Sequence, residues 1–168
     1  MESLRVVAYC ERWNSFDRRP GRVISESKAR KLDSQGNPYM VALGVGDKVR
    51  TLVSVHWSLS SLGVWFLDEA GRRNLKYSFS RVDPKKLFMD EVTGWEYPDA
   101  VEGELSSASK VTIVRHQQDG LVQETVSDSN AQVDDTITSY SDVPLDFNWE
   151  SVPEFGNWTR VSRNNRAE

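Results

Sequence analysis

At 168 residues and 19.1 kDa, the chain has the length of one domain built around a single hydrophobic core. Hydrophobic residues at 38% and charged residues at 27% exclude a disordered chain, and the longest near-apolar run, Tyr39 to Gly46, is too short for a membrane-spanning helix. The net charge of -4 hides a division: residues 1–86 hold 16 Lys and Arg against 9 Asp and Glu, while residues 87–168 hold 5 against 16.

The opening MESLRVVAYC carries no extended apolar region before its first charges, so no secretory signal is expected. Cys10 is the only cysteine, which excludes an internal disulfide framework and suits a reducing, cytoplasmic compartment. Basic residues are densest early, at Arg12, Arg18, Arg19, Arg22, Lys28, Arg30 and Lys31, and residues 1–21 read as a basic lead-in. Such sorting serves a charged partner, or the two halves neutralise each other across neighbouring strands. Internal pairing is the expectation taken forward.

Period-2 alternation recurs along residues 22–141, whereas sustained helical periodicity does not. Arg22 to Leu32 reads as a strand or as partly helical through ESKARK at 26–31. After the SQGNP turn at 34–38, Tyr39 to Val45 is a strand, and a turn at Gly46–Asp47 leads into the alternation Val49, Thr51, Val53, Val55, Trp57. A hairpin turning at Ala70–Gly71 sets Asp68 opposite Arg73, Phe66 opposite Leu75, Val64 opposite Tyr77 and Leu62 opposite Phe79. Lys85 to Tyr97 follows, with Leu87, Met89, Glu91, Thr93, Trp95 and Tyr97 on one side.

Residues 98–108 and 127–135 are rich in acids and small residues and read as loops. Between them a hairpin turning at Asp119–Gly120 sets Val122 opposite Gln117, Glu124 opposite Arg115 and Val126 opposite Ile113. Residues 131–141 offer one more strand. The tail from 142 carries VPLDFNWESVPEFGNW, two Pro, two Trp and two Phe without alternation, and reads as a strap over a sheet edge or barrel end.

The whole chain is therefore a single all-β domain, an antiparallel meander of about eight to ten strands with an irregular aromatic strap at 142–168. Closure removes exposed edges, so the expected form is a barrel or a half-open, calycin-like β-clam, with a two-sheet sandwich as the alternative. Short internal echoes at 66–69 and 88–91 are too few for a repeat architecture.

No nucleophile elbow, Walker motif, HExxH or paired CxxC occurs, and GVGDKV at 44–49 is better explained by a hairpin than by a phosphate loop. Two histidines, His56 and His116, are too few for a His-rich metal site, and no cofactor is implied. Acid–base chemistry needs no motif. Histidine is the natural proton shuttle where it lines a cavity, which makes His56 one candidate, and Glu91, on a face with Leu87 and Met89, has the setting of a desolvated acid; these are the candidate catalytic pair. Tyr77, Phe79, Arg115, Glu124, Trp95 and Trp57 are the candidate ligand-binding residues if strand faces enclose a pocket.

The leading functional expectation is a barrel binding a small apolar or aromatic ligand, in its enzymatic version a cyclase or isomerase. The alternative is an acidic protein-interaction module, like an immunity protein or inhibitor, binding a basic partner protein. Single-strand nucleic-acid binding by the early basic stretch ranks last against an acidic total, and no membrane partner is expected.

Overall fold

A computed structural model describes residues 4–99, 103–131 and 133–166. Its strands in chain order are β1 (Arg5–Asn14), β2 (Arg19–Ile24), β3 (Tyr39–Val45), β4 (Lys48–His56), β5 (Ser61–Leu67), β6 (Arg73–Asp83), β7 (Lys86–Glu96), β8 (Lys110–His116), β9 (Val122–Asp128), β10 (Thr136–Tyr140) and β11 (Trp149–Ser151). One helix, α1 (Glu26–Ser34), separates β2 from β3. All the strands form one antiparallel sheet in the order β10-β9-β8-β7-β6-β5-β4-β3-β1-β2, with β11 added to β7.

The sheet is all-β and a meander from β3 to β10, but it is not closed and it is not a two-sheet sandwich. β2 pairs only with β1 and β10 only with β9, so two edges stay free. β2 is ill suited to close the ring: Pro20 has no N–H to give, and Arg22 has left-handed backbone (φ 52). Residues 1–21 are not a lead-in, because β1 runs through most of them and lies between β3 and β2. A register shift between Val6 and Ala8 breaks the alternation there, which hides the strand from period-2 reading.

Residues 26–34 resolve as helix. Ser25 caps it by accepting from the Lys28 N–H at 3.2 Å, and Gly36 in left-handed backbone (φ +73) follows its end. The helix crosses from β2 to β3 and turns Ala29 into the core.

The two expected hairpins share one turn. Asp68 N–H donates to the Arg72 carbonyl and Gly71 N–H to the Asp68 carbonyl, with Gly71 at φ +78. Gln117, Leu121 and Gly120 (φ +89) repeat this arrangement. Both are three-residue loops ending in a left-handed glycine, and not two-residue turns. In the first, a register shift after Phe66 restores the expected pairs Phe66–Leu75, Val64–Tyr77 and Leu62–Phe79, while Leu67 takes the place of Asp68 opposite Arg73. In the second, nothing compensates, so the whole hairpin moves by one residue: Val122 faces His116, Gln123 faces Arg115, and Glu124 faces Val114.

One face of the sheet, the inner face, carries the main core: Tyr9, Tyr39, Val41, Leu43, Val53, Val55, Leu62, Val64, Phe66, Tyr77, Phe79, Leu87 and Met89. α1 and the segment after β11 cover it, through Ala29, Val152, Phe155, Trp158 and Val161. Tyr9 stacks on Phe155 at 5.3 Å, and Trp158 meets Tyr39 edge-on at 6.3 Å. The outer face has a smaller cluster of Trp13, Ala42 and Leu52 beneath Trp65, Met40 and Leu67.

Candidate functional site

The strap, expected over a sheet edge or a barrel end, lies along the inner face. Asp33 at the end of α1 receives hydrogen bonds from both Tyr39 Oη and Trp57 Nε1, each at 2.7 Å, which ties helix, β3 and the turn after β4 together. Burial, and then the Asp33 carboxylate, push the Tyr39 hydroxyl far above its usual pKa. Tyr77 Oη donates to the Asn164 carbonyl at 2.8 Å, and the Arg166 guanidinium stands 5.3 Å over the Phe79 ring. Two of the proposed ligand-binding residues, Tyr77 and Phe79, therefore hold the chain's own strap. Trp57 is likewise engaged, with Asp33 at its indole N–H and Arg81 over its ring.

A carboxylate that the sequence reading did not single out anchors the strap. Glu150 in β11, its side chain 1% exposed, pairs with Arg160 at 2.9 Å, Arg166 at 3.0 Å and Arg163 at 3.4 Å. The signal was present: these arginines are the first basic residues after a long acidic stretch and recur at threefold spacing. Asn148 donates to the Met89 carbonyl at 2.8 Å, where the neighbour of β7 changes from β11 to β8.

The same point in β7 redistributes the other candidates. The ladder shifts between Ser78–Glu91 and Phe79–Met89, so Asp90 is an extra residue and the alternation reverses across it. Leu87 and Met89 face the inner core, while Glu91, Thr93 and Trp95 face outward, separating Glu91 from the apolar neighbours expected for it. Glu91 receives Arg115 Nε at 3.1 Å on that outer face. Trp95 stacks on Trp65 at 5.5 Å, and Lys76 and Arg73 cover Trp65 at 5.0 and 4.9 Å.

Glu124 does not meet Arg115; it lies on the inner face in the row Tyr77–Val92–Val114–Glu124, three strand spacings or roughly 14 Å from Tyr77. His56 ends β4 opposite Ser61, again three strands from Glu91. The eight candidates thus divide among the strap contact, the turn after β4, the outer face and the far wing, and no cleft described gathers them. Nor do any described His, Cys, Asp or Glu side chains form a group able to hold a metal ion.

The charge is distributed differently from expectation. Of the ion pairs among the described residues, only Arg73–Glu104, at 2.7 Å, joins the first 86 residues to the remainder. The early cations pair locally, Arg22 and Lys28 with Glu11, Arg19 with Asp17 and Arg30 with Glu26. Because strand order follows chain order so closely, charge sorted along the sequence becomes charge sorted across the sheet. The β1–β2 end is basic. At the other end Asp119, Glu124, Asp128, Asp134, Asp135 and Asp142 make no ion pair with a described residue, and the wing's two cations, Lys110 and Arg115, bond to Glu96 and Glu91 of β7.

That wing, β8 to β10, is also uncovered. Val122 is the one buried residue of its strands, and none of their described side chains belongs to either core cluster. The chain matches no family model, no curated protein and no solved structure.

Proposed function

We propose that the protein is an acidic interaction module that binds a basic partner protein through the wing formed by β8 to β10. The observation that carries this reading is the group of six acids on one uncovered end of the sheet, with no cation among the described residues paired to them. A cationic partner gains attraction there without displacing an internal ion pair, and approach is accelerated by the long-range field. A reducing, cytoplasmic setting fits the single buried thiol of Cys10.

The test compares wild type with Glu124→Gln/Asp134→Asn/Asp135→Asn/Asp142→Asn in affinity capture from a cell extract at roughly 50 mM and about 500 mM salt. Asn at 142 preserves the left-handed backbone (φ 56) found there. Basic proteins held at low salt by wild type, released at high salt and not held by the variant are the expected result. Equal capture by both proteins, or capture indifferent to salt, overturns the reading.

A second reading rests on a cleft of about 560 Å³ between the strap and β4–β5, where Leu4, Phe66 and Leu67 stand beside the charged Arg50, Glu69 and Arg163 and beside Ser162, whose buried Oγ has no hydrogen-bond partner among the described residues. In this reading the open sheet acts as a calycin-like clam for a small ligand with an apolar body against Phe66 and Leu67 and polar groups for Ser162 and the charged side chains. His56 and Glu91 do not line that cleft, so the reading is one of binding and not of cyclase or isomerase chemistry. Ligand-induced thermal stabilisation that disappears in Phe66→Ala and survives the four acid substitutions would favour it over the first.

A further inference from the structure

The two free edges of the sheet are built differently. β2 carries Pro20 and the left-handed Arg22, with Arg18 (φ 52) immediately before it, and its side chains include Arg19 and Arg22. Proline, backbone kinks and exposed charges are the devices that stop an edge from adding a strand. Within its own residues, Thr136–Tyr140, β10 has none of them. It reads Thr136, Ile137, Thr138, Ser139, Tyr140, pairs only with β9, and leaves Ile137 62% exposed. Exposed acids, Asp134 and Asp135 before it and Asp142 after it, stand at both ends.

We propose that β10 is an acceptor edge: an extended segment of the partner protein, flanked by Lys or Arg, adds to the sheet as a further strand beside it. This rests on the reading of the wing as an acidic docking surface and specifies the form of the partner. Main-chain hydrogen bonds to the unused edge of β10 supply affinity, and the flanking acids select a cationic segment. The cross-strand rows set the side-chain pattern. On the outer face Thr93, Ile113, Thr125 and Ile137 form one row, so the partner residue next in that row meets an exposed isoleucine and is itself apolar and β-branched.

A second copy of the chain is a poorer occupant. Antiparallel pairing of two β10 strands centred on Thr138 sets Asp134 against Asp142 twice, like charges directly opposed. Pairing of β10 with the basic β2 of another copy meets Pro20 and Arg22, which cannot sustain a ladder. The edge is thus open to a foreign basic strand and closed to its own kind.

The probe is a short peptide of alternating Val and Thr flanked on each side by Lys and Arg, added to the whole protein at low salt. Amide hydrogen exchange is read at residues 136–140, and affinity is measured against the same peptide N-methylated on one edge. The proposal expects alternate amides of 136–140 to become protected, and affinity to fall about tenfold or more on N-methylation. No binding of the unmethylated peptide overturns it. Salt-sensitive binding without protection at 136–140, or without an effect of N-methylation, also overturns it and leaves the acidic-wing reading standing. Protection at 136–140 that rises with protein concentration in the absence of peptide assigns the edge to a second copy and likewise overturns it. If the capture experiment fails but alternate protection appears, the edge proposal stands and the charge-led reading does not.

Discussion

β3 to β6 and β8 to β10 are made alike, as antiparallel ladders rich in β-branched residues, yet they differ in what lies on them. In the first region Val41, Val53, Val55, Leu62 and Val64 are fully buried beneath α1 and the strap, and on the opposite face Ala42 and Leu52 are fully buried beside Trp13 and Trp65. In the second, Val111, Ile113, Val114 and Val126 are only half-buried, and Ile137 is exposed. A strand's apolar face stabilises a fold only when another layer removes it from water. β7 marks the change, since its first half takes β11 and the strap as neighbours and its second half takes β8. Stability thus concentrates at the covered end, and the acidic end stays open to solvent.

Removing the cover should break this contrast most severely. Trp158→Ala takes away a 2%-exposed ring packed on Tyr39 and Phe155, and is expected to cost about 3–5 kcal/mol in urea unfolding. Glu150→Ala leaves Arg166 buried without its carboxylate and should cost about 3 kcal/mol. If both losses stay below about 1 kcal/mol, the strap is not what distinguishes the two ends.

Next in size is the one ion pair among the described residues that joins the halves. Arg73 reaches Glu104 through Nε and Nη2, donates its backbone N–H to the same carboxylate, and donates to Ser15 Oγ at 2.9 Å. Arg73→Ala is expected to cost about 2 kcal/mol in the same denaturation. Burial raises the Glu104 pKa, but the bonds from Arg73 and Ser15 outweigh burial and hold the carboxyl below its ordinary 4.5. A depressed folded-state pKa means stability present above pH 4.5 and lost as pH falls through the lower folded value. Arg73→Ala should therefore flatten the acid limb of the stability profile as well as lower it.

The contrast between the ends was only half legible in the sequence. The covered strands show themselves by clean alternation, as in Val49 to Trp57, and the Ala70–Gly71 hairpin keeps its register because a bulge cancels the longer turn. Bulges elsewhere defeat period-2 reasoning: one hides β1, and the extra Asp90 sends Glu91 to the outer face. A bulge depends on neighbours across the ladder, which no local pattern contains. The Asp119–Gly120 turn was visible, but its three-residue form displaced Glu124 from Arg115 by one position. The sorting of charge was visible too, whereas its separation across the sheet followed only from the topology. The strap announced its aromatics, but Glu150 and its three arginines converge through tertiary packing over a range that sequence spacing does not encode.

A pH titration sharpens the comparison from the side of the wing. His116, opposite Val122, has its pKa lowered from 6.5 by burial, with Asp90 opposing the shift, and its Nδ1 has no hydrogen-bond partner. A histidine with a depressed folded-state pKa is protonated first in the unfolded chain, so stability is full above pH 6.5 and declines as pH falls below it. Protection of β8 and β9, taken relative to the intrinsic amide exchange rate at each pH, should fall between pH 7 and pH 5 while that of β4 holds, and His116→Gln should abolish that difference. Equal loss of protection in β4 and β9 would show that the wing opens only with the whole domain.

The smallest effect belongs at the outermost strand. Ile137→Ser removes an apolar side chain that is 62% exposed and belongs to neither core cluster, so its cost should lie within about 0.5 kcal/mol. Val53→Ser, an equivalent change in a fully buried position of β4, should cost several-fold more, because it deletes core contacts and leaves a hydroxyl in an apolar site. The ratio of the two measures how far cover, and not strand pairing, determines stability along this sheet. A ratio near one would mean that ladder hydrogen bonds carry the fold evenly from β1 to β10. A large ratio leaves β10 nearly free of structural constraint, so that an exposed isoleucine bracketed by acids is explained by what it meets and not by what it supports.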